Sequence, residues 1–236
     1  MFTSLWNCNR TIQEMLVARG YSDQLDLDDN DEDRIDEKEM VATEKNFETT
    51  LKKLCGDTNN LTQAVLDRLT YLRQHTFTGE WIYVFFVMQK IGKNLISSYV
   101  KSMDEAGVSR AILVSVPLDE KGGLDDQSVL TPFALKDIAK HSTDKKIIEH
   151  FYTHELTVNL LNHETQPKSM KILTPDEIAD VKKLLHCSVD APPPFARINP
   201  EDPSAKFLGL QIGDMIECTC HSPTVGETVR YRVCMY

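Results

Sequence analysis

Cys218, Cys220, His221 and Cys234 crowd the last twenty positions of a 236-residue chain, and they are the first residues whose types could do chemistry. A zinc knuckle uses two cysteines separated by two residues, so that both sulfurs converge on the metal. Cys218 and Cys220 are instead a C-x-C pair sharing one face of an expected strand, and small buried hydrophobes are the better reading. Nucleophilic chemistry has no stronger support. The chain contains neither a G-x-S-x-G elbow nor an H-E-x-x-H helix, and His154-Glu155 and His163-Glu164 each lack the second histidine a zincin needs. A hydrolytic centre built from His150, His154 and Glu155 therefore competes poorly with surface or strand-edge roles for the same side chains. Gly122-Gly123 has neither the following Lys-Ser/Thr nor a strand feeding it, so it is not a phosphate loop. No catalytic residue, metal or cofactor is implied. One segment offers physics for nucleic acid. Thr131 caps a short helix with Pro132 at its first position, and the free amides from Phe133 onward can face a phosphate without any Lys or Arg.

The elements that must position these groups follow from periodicity. Leu5, Trp6, Ile12, Met15 and Leu16 recur at helical spacing, with Thr3 or Ser4 as N-cap and Gly20 as stop. A second helix is expected over about 61–75, where Leu61, Val65, Leu66, Leu69 and Leu72 make one face and Asn60 caps. Trp81–Met88 (WIYVFFVM) and Arg110–Val116 (RAILVSV) read as strands buried on both faces. The helical stripe between them (Leu95, Ile96, Tyr99, Val100, Met103), closed by Gly107, makes a βαβ crossover and hence a parallel pair. Ile147–Tyr152 is a further strand. Thr174-Pro175-Asp176-Glu177 is a capping box opening a helix whose apolar stripe is Ile178, Val181, Leu184 and Leu185. After Pro192-Pro193-Pro194 come a helical turn near 203–207 and two strands, about 214–220 and 229–235, joined by a reversal containing Gly226. The fold class expected is an α/β N-terminal domain with a mixed sheet and flanking helices over residues 1–160, then a small α+β domain over 161–236.

Composition bounds the function. At 41% hydrophobic and 26% charged residues the chain can fill one large or two modest cores. It lacks an apolar run of the roughly 20 residues that cross a bilayer, so no membrane partner is expected. Trp6, Asn7, Cys8, Asn9 and Arg10 interrupt any secretory signal, which favours an intracellular address and reduced cysteines. The net charge of −10 is concentrated: between Asp23 and Glu39 ten acids face only Arg34 and Lys38, within an acidic insertion of about 23–46. Such a balance argues against a free-standing nonspecific DNA binder but allows local DNA contact inside a larger assembly. The acidic run itself reads as a solvated loop.

The C-terminal segment carries a recognisable pattern: Arg197-Ile198, Asp202-Pro203, Phe207-Leu208-Gly209, Gly213, Ser222, Thr224, Gly226 and Tyr231-Arg232-Val233-Cys234-Met235. It resembles the fifth-largest subunit of eukaryotic nuclear DNA-directed RNA polymerases, whose C-terminal domain corresponds to an entire small subunit of the archaeal enzyme. The likeness extends to His163-Glu164 and Pro167-Lys168, to Thr131-Pro132, and to Leu5-Trp6, Arg10-Thr11, Glu14-Met15 and Arg19-Gly20-Tyr21. The resemblance implies a non-catalytic subunit in a hetero-oligomer, located in the nucleus. Its N-terminal jaw domain would stand beside downstream double-stranded DNA, and its C-terminal assembly domain would dock on the largest RNA polymerase subunit. Carried over by position, Thr131, Pro132 and Phe133 would face DNA, although Phe133 departs from the family's small polar residue. Arg197, Asp202, Pro203, Gly209, Gly213, Gly226, Tyr231 and Arg232 would form the subunit interface.

Cys220, Pro223 and Glu227 stand where the family usually has a basic residue, a Glu and an Arg. That change would repel a partner surface complementary to the common form. It implies a diverged paralogue committed to one polymerase class, with RNA polymerase I and the nucleolus as the candidate case. The competing reading is a free adaptor or assembly-factor module that keeps the fold.

Overall fold

A computed structural model describes residues 2–22, 44–55, 62–88, 93–116, 136, 138, 146–186, 195–222 and 224–236. The contacts divide the chain into two compact units, Met1–Val158 and Asn159–Tyr236.

The first unit is built on a four-stranded sheet of β1 (Tyr71–Gln74), β2 (Trp81–Val87), β3 (Arg110–Ser115) and β4 (Ile147–Tyr152), in that order. β1 is antiparallel to β2, and β2–β3–β4 are parallel, so the sheet is mixed. The aromatic and β-branched runs of β2 and β3 are buried almost throughout, as expected of central strands covered on both faces. Helix α4 (Lys93–Glu105) supplies the crossover between them. It lays Ile96, Val100 and Met103 against Phe85, Val87, Ala111 and Leu113 on one face of the sheet.

Helix α1 (Phe2–Ala18) is tied to two strands of the sheet by side chains. Tyr71 Oη donates to Asn9 Oδ1 at 3.4 Å and Arg73 donates to Gln13 at 2.8 Å, while Arg19, just beyond the helix, meets Glu149 at 2.5 Å. These bonds offset part of the cost of burying Asn9, Gln13, Arg19 and Arg73, and the Arg73 guanidinium also lies 5.2 Å over the Tyr71 ring. Leu5, Ile12, Met15 and Leu16 are buried as expected, whereas Trp6 is half-buried with the Arg10 guanidinium 4.9 Å over its ring. Gly20 follows the helix at φ +88°, and a Cβ there would stand 2.9 Å from the His75 ring, so this position requires glycine on two counts. Thr3 and Ser4, expected as caps, lie inside the helix, which already runs from Phe2.

Two further expectations are corrected. The helix expected over about 61–75 is only α3, Gln63–Asp67, after which the chain turns into β1. Leu69 and Leu72 imitate a helical stripe, but Tyr71 and Arg73 are buried and alternate with less buried neighbours, because pairing of Tyr71–Gln74 with Trp81–Val84 decides the conformation. An unexpected α2 spans Glu44–Cys55 and buries Phe47 and Leu51, four residues apart, against α1. It also takes residues 44–46 out of the expected acidic loop. The rest of that loop, the segment 119–128 and the Thr131-Pro132 helix start lie outside the described residues, although Lys136 and Ile138 are helical and Ile138 reaches the core.

The second unit carries a sheet of order β5 (Ser169–Ile172), β7 (Met215–Ser222), β8 (Gly226–Cys234), β6 (Ala196–Ile198). β8 is antiparallel to β7 and parallel to β6. Side chains alternate across this sheet. Ile198, Ile216, Cys218 and Cys234 face α6 (Pro203–Leu208), while Leu173, Met215 and Val233 face Ile178 and Val181 of α5 (Pro175–Leu184). The capping box is present: Thr174 accepts from Glu177 N and Glu177 accepts from Thr174 N. Thr174→Ala should lower stability by about 1 kcal/mol in urea unfolding. Hydrogen bonds from Lys171 and the Thr174 amide hold the Glu177 carboxyl below its usual range. Its contribution is therefore present at neutral pH and is lost as pH falls through that lowered value. Among the described residues no helix is long and apolar enough to cross a membrane.

Candidate functional site

The groups whose types suggest chemistry serve local structure. Cys218 and Cys234 are buried, and burial pushes both thiols up, so they remain protonated and pack as small hydrophobes. They share a face but lie four residues apart along the sheet, since Cys218 pairs with Arg230 and Cys234 with Ile198, while His221 is exposed opposite Glu227. His150 Nε2 is 2.7 Å from Ser115 Oγ, His154 stacks on Tyr152, and Glu155 accepts from the Tyr152 amide at 2.8 Å to cap a turn of 3-10 helix. His150 and His154 both pack against the Tyr152 ring, and among the described residues no group of three His, Cys, Asp or Glu side chains is placed to hold a metal ion.

The second unit offers something more specific. α6 begins with Asp202 as N-cap, its Oδ1 accepting from Ser204 N at 2.8 Å, and with Pro203 in the first turn. It ends at Gly209, left-handed at φ +67°. The chain then reaches β7 through Gly213, whose amide donates to the Cys234 carbonyl at 2.9 Å. The loop Leu160–Lys168 and the start of α6 wall a groove of about 600 Å³. Its floor is the sheet face carrying Met170, Cys218, Arg230 and Arg232. Arg230 and Arg232 alternate onto this face two residues apart on β8, about 7 Å at the backbone. Neither guanidinium has an ion-pair or hydrogen-bond partner among the described residues.

The residues expected at a subunit interface thus fall into groups. Asp202, Pro203 and Arg232 come together in the groove. Arg197, paired in register with Val233, and Tyr231, edge-on to Phe195 at 6.1 Å, belong to the opposite face. Gly209 and Gly213 shape turns, and Gly226 opens β8 at φ +81° after a three-residue connection. Arg230 is not among the expected residues, although its spacing from Arg232 is the strand period and is the signal that points to it. Thr131, Pro132 and Phe133, the DNA-facing candidates, lie outside the described residues. Glu227, one of the departures from the family pattern, is paired with Lys168 at 2.6 Å, so part of the charge change at the hairpin is balanced within the chain.

The chain thus pairs a mixed-sheet unit with a small α+β unit that carries a cation-bearing groove. The segment 158–234 matches the family model described as RNA polymerase Rpb5, C-terminal domain. The chain is 33% identical over 156 residues to the DNA-directed RNA polymerases I, II, and III subunit rpabc1 of Dictyostelium discoideum, covering 65% of this chain and 72% of that protein. It is 28% identical over 233 residues to subunit RPABC1 of Caenorhabditis briggsae, covering 97% and 94%, and equally similar to that of Caenorhabditis elegans. The chain belongs to the Rpb5 family of DNA-directed RNA polymerase subunits.

Proposed function

We propose that this chain is a non-catalytic structural subunit of a nuclear DNA-directed RNA polymerase. Its C-terminal unit docks on the largest subunit, and its N-terminal unit helps form the lower jaw that guides downstream duplex DNA. The observation that carries the docking role is the coincidence of the family match, 158–234, with a compact unit holding a groove that leaves two arginines without partners. Arginines of this kind are favoured at interfaces because the planar fork loses little freedom on pairing. The interface set is Arg197, Asp202, Pro203, Gly209, Gly213, Gly226, Tyr231 and Arg232. Gel filtration of cell extract tests this reading: a subunit elutes with the very large polymerase, whereas a free adaptor elutes mostly outside it.

The DNA-facing role rests on Thr131, Pro132 and Phe133, through the phosphate-binding capacity of the helix start that the sequence predicts there. Thr131→Ala should leave assembly intact and weaken retention of downstream DNA by about two- to fivefold in a filter-binding assay, because losing the expected cap loosens the amides that would make one phosphate contact among many.

Commitment to one polymerase class, RNA polymerase I being the candidate, is the further part of this reading. The relatives named above are subunits of polymerases I, II and III. Comparable recovery of the largest subunits of all three polymerases with a tagged chain would show that it is shared; recovery of one would support commitment.

A further inference from the structure

We infer that the groove of the C-terminal unit receives an extended, acidic peptide segment whose carboxylates, on alternate residues, pair with Arg230 and Arg232. This deepens the docking role proposed above and rests on it for the identity of the partner, a polymerase subunit. The argument is one of charge and spacing. Two unpartnered guanidinium groups on one strand face repeat at about 7 Å, and the acids of an extended partner two residues apart repeat at the same distance. Each can then form a charge-assisted, two-pronged bond to a carboxylate.

Other charges in the groove do not supply this pairing. Lys168 is engaged with Glu227 at 2.6 Å. Asp202 and Glu164 stand on the loops that wall the groove, and neither reaches a guanidinium within ion-pair distance. Asp202 is held as the α6 cap. Those two carboxylates would repel a uniformly acidic chain, so they select a segment with a pair of acids flanked by neutral residues. The apolar floor, Met170, Ile198 and Cys218, suits the neutral part.

The probe is a short fluorescent peptide carrying two glutamates at alternate positions among neutral residues, titrated into the full chain and read by fluorescence anisotropy. Binding should weaken between about 0.1 and 0.5 M salt, as expected of exposed charges. Replacing both glutamates by glutamine, or making Arg230→Gln with Arg232→Gln, should each weaken it at least about tenfold, the loss expected for two charge-assisted bonds. Lys171→Gln, in the ion pair with Glu177, should have no effect. Equal binding of the glutamate and glutamine peptides, unchanged binding by the double variant, or no binding at all would overturn the inference. The docking role fails separately. If the peptide does not bind but the chain copurifies with the largest polymerase subunit, the acidic partner is wrong and the docking role stands. If the peptide binds but the chain does not copurify, the groove chemistry stands and the polymerase partner is wrong.

Discussion

Arg232→Ala should strip the chain from its polymerase at salt concentrations that leave the unsubstituted chain bound. An arginine at the centre of an interface is worth about 2–4 kcal/mol when truncated, roughly 30- to 1000-fold in affinity, far more than a rim charge. The substitution is a clean test because Arg232 has no ion-pair or hydrogen-bond partner within the described chain. Removing it should therefore change stability by no more than about 0.5 kcal/mol. Tyr231→Ala should also release the subunit, but it is the less clean experiment. Tyr231 packs with Phe195 beside Val233 and Met215, so its loss disturbs the C-terminal core as well as the surface. Both tryptophans, Trp6 and Trp81, lie in the N-terminal unit, and their fluorescence should be unchanged in either variant. Retention of the Arg232→Ala chain at high salt would remove Arg232 from the interface.

Phe86→Ala should destabilise the N-terminal unit by about 3–5 kcal/mol, a large part of the 5–15 kcal/mol by which a domain is ordinarily stable. Phe86 is 1% exposed in β2, on the face that also carries the buried Ile82 and Val84. Its ring lies 6.5 Å from that of Tyr71 on the neighbouring strand, whose hydroxyl bonds to Asn9 of α1. Truncation leaves a cavity between rigid elements that cannot collapse freely. Urea unfolding followed by the fluorescence of Trp6 and Trp81 reads this unit alone. A loss below about 1 kcal/mol would mean that Phe86 sits in a site far looser than its burial indicates.

The same strand shows what was legible in the sequence. WIYVFFVM and RAILVSV announced buried strands because their apolar runs are continuous, and the helical stripe between them required a parallel crossover. The Thr174–Glu177 box was equally legible, being a local hydrogen-bond device written in four consecutive residues. Tyr71–Gln74 was not, because its conformation is imposed by pairing with β2, while Leu69 and Leu72 happen to satisfy a helical period. Helix α2 was hidden beside the acidic run, where Phe47 and Leu51 make too short a stripe to stand out.

The candidate site was legible only in pieces. Asp202, Pro203 and Arg232 stand out through a family pattern, but nothing local says that they meet across one groove while Arg197 and Tyr231 point to the other face. That separation follows from sheet register and from the parity of each position along its strand. Arg230 escapes notice because an exposed arginine on a strand is ordinary until its neighbour two residues on is known to lack a partner as well. Glu227 shows the reverse: the sequence marks it as a free negative charge, and the fold neutralises it with Lys168, fifty-nine residues earlier.

Purification of the tagged chain from cells at moderate salt, followed by mass spectrometry of everything bound, tests the central claim most directly. A polymerase subunit brings down the largest polymerase chain in stoichiometric amount, and Arg232→Ala abolishes that recovery. Recovery of the chain free of any polymerase large subunit would contradict the account.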